Sequence, residues 1–114
     1  MKIPGPWPFK GRVVWLTAEQ GGRTSGPPPP TDAWDYAHTA FVPPSTAPTG
    51  LASFALRGFH PGAWTSPAEG RWVIANSEDD RSVEPGTVIV CTEGTRVVAY
   101  FHVDQTHPAL HDHP

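Results

Sequence analysis

The chain has 114 residues, of which 15 are proline and 11 glycine; 17% are charged, and the formal net charge is −3. That length suits one domain with a core of its own, needing neither metal nor disulfide to fold. The proline and glycine content excludes long helices. Five tryptophans, five phenylalanines and two tyrosines exclude full disorder. Glycine shows no three-residue period, so a collagen-like chain is excluded too. The two lysines, Lys2 and Lys10, and the scattered arginines make no basic face, which disfavours nucleic acid as a partner.

No stretch approaches the ~20 apolar residues of a membrane span, and residues 1 to 6 lack the apolar run of a secretion signal. The cytoplasm is the default address, with no membrane partner. The single cysteine, Cys91, lies in the apolar run Val88 to Cys91 and reads as a small buried hydrophobe.

In chain order, residues 1–10 alternate proline with aromatics and read as an extended arm that lays Trp7 and Phe9 on the domain. Arg12 to Thr17 is the first predicted strand, ending before a Gly21-Gly22 turn. A long loop follows, in which Pro27 to Pro30 suit a polyproline II bridge. Tyr36 to Val42 is the second strand. Leu51 to Leu56 is the third, with Phe54 and Leu56 on one face and Ser53 and Ala55 on the other.

Arg71 to Ala75 is the fourth strand, and the acidic stretch Ser77 to Arg81 has room for one helical turn. Thr87 to Thr92 and Thr95 to Val103 are the fifth and sixth, joined by a tight turn centred on Glu93-Gly94. Residues 105–114 read as a flexible, His-rich tail. Six short strands within 11–104 point to an all-β domain closed into a barrel, since closure removes exposed edges.

Two segments resemble a known family. Val13-Val14-Trp15-Leu16-Thr17 followed by Glu19 and Gly21-Gly22-Arg23 is similar to the opening of the C-terminal barrel domain of elongation factor Tu. Ser82 to Thr87, then Cys91-Thr92-Glu93-Gly94-Thr95-Arg96-Val97-Val98-Ala99-Tyr100, is similar to that domain's closing hairpin. The two frame residues 11 to 103. The resemblance implies a six-stranded antiparallel Greek-key β-barrel, here standing alone. No Gly-x-x-x-x-Gly-Lys loop is present, so GTP hydrolysis is not implied. The region after Arg23 lacks the family's Gly-Tyr-Arg-Pro segment, which removes the ground for a transfer-RNA contact.

Chemistry-bearing clusters are few. His107, His111 and His113, with His102, Asp104 and Asp112, suit adventitious metal capture, and no cofactor or metal is expected. Ser53, His38 and Asp35 form a hydrolytic set on paper only. Glu78, Asp79 and Asp80 read as a solvated acidic loop.

Arg23 is placed after two glycines, which tolerate positive φ and let backbone N–H groups converge. It is expected either to grip a carboxylate or phosphate ligand, or to pair with an acid of the barrel and brace the loop. Trp34 and Trp64 lie among turn residues, and aromatics so placed are contact anchors. The expected function is therefore a protein-binding module without catalysis, of the kind that serves as a bacterial immunity or regulatory protein. Its contact residues are Gly21, Gly22, Arg23, Trp34 and Trp64, and its protein partner is unknown. The alternatives are a small-molecule or RNA-binding barrel with an aromatic-lined mouth, and a hydrolase using the histidines.

Overall fold

The computed structural model describes residues 7–24, 26–27, 36–43, 52–60, 62–73, 83–94 and 96–106. Six strands form a closed antiparallel barrel: β1 (Phe9–Trp15), β2 (Tyr36–Phe41), β3 (Ala52–Arg57), β4 (Thr65–Trp72), β5 (Val88–Glu93) and β6 (Arg96–Thr106). Around the barrel they run β1-β4-β3-β2-β5-β6. β2, β3 and β4 make a meander, and β1 returns beside β4 rather than β2, which is the Greek-key pattern. The helical content among the described residues is one 3-10 turn, Ala18–Gln20. No helix among them is long and apolar enough to cross a membrane.

Burial alternates along β1 and β2, whereas β3, β5 and the end of β4 are buried on consecutive residues. Phe9, Val13 and Trp15 of β1, Phe54 and Leu56 of β3, and Phe101 and Val103 of β6 are buried and meet in the middle. Sealing side chains of this size inside contributes roughly 1.5–3 kcal/mol each. The core is built around Phe54, whose ring meets Trp72 edge-on at 4.8 Å and lies 5.9 Å from Phe101. Gly70 of β4 is the complement of this cluster: a Cβ there would stand 2.6 Å from Phe54 Cζ and 3.0 Å from Phe101 Cε2. The strand passes over the two rings because it carries no side chain at that point.

Several boundaries differ from the sequence expectation. β1 starts at Phe9, three residues before Arg12, because the arm's aromatic end pairs in register with Gly70 and Thr106. Trp7 is buried, capped by the Arg57 guanidinium 4.5 Å from its ring centroid. β4 runs over Thr65–Trp72 rather than Arg71–Ala75. Pro67 and Gly70 mask it in the sequence, yet Pro67 faces outward opposite Arg12 and Gly70 faces the rings.

β6 continues through Gln105 and Thr106, which pair with Lys10 and Phe9, so those two residues belong to the barrel wall and not to a tail. A bulge at Lys10/Gly11 leaves Asp104 out of the β1 register. In the β5–β6 hairpin Glu93 pairs with Arg96, so Glu93 belongs to the ladder rather than to the centre of the turn, and Thr95 lies outside the described residues. Ala55 is buried although it faces away from Phe54 and Leu56. The expected helical turn at Ser77–Arg81, the acidic residues Glu78 to Asp80, Pro28 to Pro30 and the tail histidines lie outside the described residues.

Candidate functional site: the arginine-latched end of the barrel

Of the sequence candidates, Gly21, Gly22, Arg23 and Trp64 gather where β1 ends. Thr17 caps the 3-10 turn: its hydroxyl accepts from the Gln20 amide, and the Gln20 side chain accepts from the Thr17 amide. Gly21 closes the turn with φ 89°, a left-handed conformation that suits glycine. Its amide donates to the Ala18 carbonyl, and the Gly22 amide donates to the Thr17 carbonyl at 2.8 Å. Both amides are therefore spent within the turn rather than presented to an anion. Gly22 is buried, and a Cβ on it would stand 2.2 Å from the Leu16 carbonyl oxygen. The Gly-Gly pair thus folds the chain back onto the end of β1 and delivers Arg23.

Arg23 is held on three sides. Its Nε lies 3.1 Å from Glu93 Oε2 at the end of β5, and its Nη1 donates to the Gly26 carbonyl at 2.9 Å. Its guanidinium sits 6.0 Å from the centroid of the Tyr36 ring. The Tyr36 hydroxyl donates to the same Glu93 oxygen that Arg23 holds. Burial, reinforced by the hydrogen bond to the Glu93 carboxylate, pushes the Tyr36 hydroxyl pKa well above its ordinary value. Arg96 adds a further tie, donating to the Gly22 carbonyl at 3.3 Å. Of the two roles expected for Arg23, the structure shows the brace, an ion pair with an acid of its own barrel.

Trp64 belongs to the same end. Its carbonyl accepts from the Trp15 amide at 2.8 Å, and its ring lies against Gly26, where a Cβ would be 3.6 Å from Trp64 Cη2. It is 45% exposed, the one exposed large hydrophobic side chain among the described residues. Trp34 lies outside the described residues. Trp7, Trp15 and Trp72 are all buried in the barrel.

Behind the latch is a file of rings. Tyr36 meets Trp15 edge-on at 5.5 Å and stacks on His38 at 4.8 Å, and His38 meets Phe54 edge-on at 5.8 Å. His38 faces inward, and neither ring nitrogen has a hydrogen-bond partner. Burial pushes its pKa down to about 3, against a weak opposing influence of the Tyr36 backbone.

The paper triad does not assemble. Ser53 pairs with Thr39 and is exposed, whereas His38 pairs with Phe54 on the opposite face of the sheet. Cys91 is buried, which pushes its thiol pKa up and away from nucleophile chemistry. Among the described residues, no group of three His, Cys, Asp or Glu side chains is placed to hold a metal ion.

Tyr36 and Glu93 were not among the sequence's site candidates, and His38 was weighed only as a member of the Ser53, His38 and Asp35 set. The alternation of β2 puts Tyr36, His38 and Ala40 on one face, but the meeting of Tyr36 with Glu93 depends on the β2–β5 register. Compared with known proteins, the chain matches no family model, no curated protein and no solved structure.

Proposed function

We infer that this chain is a binding module that engages a protein partner through the barrel end where the Gly21-Gly22-Arg23 turn and Trp64 meet. The observation that carries this reading is Trp64. A large apolar ring is left 45% exposed while its own backbone is tied to β1. Aromatic side chains on rigid supports are what interfaces use as anchors, often contributing about 2 kcal/mol or more. Arg23, mostly covered and fixed by Glu93, supplies a polar rim beside it. The module acts by contact rather than catalysis. The specific form of this reading is a bacterial immunity or regulatory protein of the cytoplasm that engages its partner as a barrel of the kind that residues 13–24 and 82–100 resemble, the C-terminal barrel of elongation factor Tu, engages its own.

The test compares capture from a native lysate by the natural chain and by Trp64→Ala, with Arg12→Ala as a control on the barrel wall. The reading expects a partner retained by the natural chain and by Arg12→Ala, and lost with Trp64→Ala while the fold persists. Capture unaffected by Trp64→Ala overturns it. Saturable RNA retention at physiological salt, without a protein partner, replaces it with the aromatic-mouth alternative.

A further inference from the structure

His38 is a titratable ring inside the barrel with no charged group of opposite sign paired to it. Its ring is packed between Tyr36 and Phe54, and both nitrogens lack partners. An imidazolium there would bring two N–H donors into a slot where neither nitrogen is paired and where the Tyr36 backbone, the acceptor at hand, offsets the cost of burial only in part. The titratable and charged groups around it are the Tyr36 hydroxyl on its own strand, Cys91 and Glu93 on β5, and Arg23 behind Glu93. β3 and β4 contribute the rings of Phe54 and Trp72. The Glu93 carboxylate is already held by Arg23 and Tyr36.

The strand that carries His38 has few backbone pairs on one side, where the Thr39 and Thr92 hydroxyls add hydrogen bonds across the seam at its edge. The β2–β5 ladder holds three residue pairs, from Thr39↔Thr92 to Phe41↔Val90, whereas β1 and β6 share seven. Past Thr39 the seam gives way to an open cleft of about 510 Å³, lined by His38, Thr39, Ser53, Thr92, Glu93 and Gly94. A charged His38 thus has a short route to water, through the part of the wall with the fewest backbone pairs to break.

We propose that His38 is an acid-operated release for β2, whose protonation opens the β2–β5 seam and, through the stacked Tyr36 ring, frees Glu93 and Arg23. The barrel end is latched at neutral pH and unlatched in acid. Any effect on partner binding rests on the function inferred above, but the opening itself does not.

The direction follows from proton linkage. In the open form the imidazole titrates at its ordinary value, about 6.5, and in the closed form at about 3. Above pH 6.5 neither form gains a proton and the closed form is fully favoured. Below it the open form gains about tenfold per pH unit until the closed form also titrates, which is about thirtyfold at pH 5.

The experiment is amide hydrogen exchange on the full chain at pH 7 and pH 5, corrected for the intrinsic rates. Protection of β2 amides is expected to fall about thirtyfold while β1 and β6 amides stay protected. Equal loss across all strands, or none in β2, overturns the proposal. His38→Phe is expected to abolish the pH dependence, whereas Glu93→Gln is expected to keep it. The reverse pattern assigns the switch to Glu93 and overturns the proposal. Should His38→Phe fail to fold, the ring resonances of His38 in the natural chain decide. Titration near pH 6.5 with β2 still protected refutes the release, and a midpoint that tracks β2 opening supports it.

Discussion

Arg23 shows how a residue noticed for one role takes another. Its guanidinium is satisfied by Glu93, by the Gly26 carbonyl and by the face of Tyr36, so it closes a loop onto a barrel end. The pair is partly exposed, with 20% of the arginine side chain and 38% of the glutamate accessible, so solvent screens it. Arg23→Ala is expected to lower stability by about 1 kcal/mol, read as a shift in the urea midpoint with an unchanged slope. Tyr36 provides an optical companion. Because burial and the Glu93 carboxylate both disfavour the phenolate, one tyrosine should stay un-ionised in an alkaline absorbance titration past pH 10, for as long as the barrel stays folded. Ionisation of Tyr36 at its ordinary value in the folded chain would contradict the latch.

At the scale of the strand and the turn, two glycines make opposite predictions about cause. Gly94 sits at φ 63° with open space around it, so Gly94→Val meets backbone strain alone and should cost about 1–2 kcal/mol. Gly70 has ordinary backbone, but its missing Cβ is occupied by rings, so Gly70→Ala should cost about 1–3 kcal/mol through overpacking. Thermal unfolding of the two variants checks both, and Gly70→Ala should also perturb the near-ultraviolet signal of Trp72.

These glycines mark what was legible in the sequence. β2, β3, β5 and most of β6 were readable because β-branched and aromatic residues alternate there. β4 was not, because Thr65-Ser66-Pro67-Ala68-Glu69-Gly70 carries no strong apolar period. Its pairing is imposed by β1 and β3 from outside. The tight turn was visible as Glu93-Gly94, but its register depends on a bulge at Cys91/Thr92 that has no sequence signature. Of the candidate site, Gly21, Gly22, Arg23 and Trp64 were legible from turn chemistry. Tyr36 and Glu93 were not, since they are 57 residues apart and meet through barrel closure.

For the whole molecule, the division of tryptophans matters most. Trp7, Trp15 and Trp72 are buried in the barrel, while Trp64 is exposed. Trp64→Ala is therefore expected to leave the melting temperature within a few degrees while weakening partner binding by about 2 kcal/mol. With a net charge of −3 and no basic face, that binding should persist at raised salt, whereas any polyanion binding should fade. Calorimetry at two salt concentrations separates the two.

The pairing of Phe9 with Thr106 has a further consequence. The first described strand is locked by the last described one, so the wall is finished only when β6 arrives from the ribosome. Until then β1 and β5 each present an unpaired edge, and their missing neighbour is one contiguous piece of eleven residues, Arg96–Thr106. The barrel is thus naturally divisible between β5 and β6. A fragment ending there should remain adhesive, trading sixth strands with its copies or accepting the missing strand as a free peptide. Fused to two other proteins, the two pieces would report when those proteins meet.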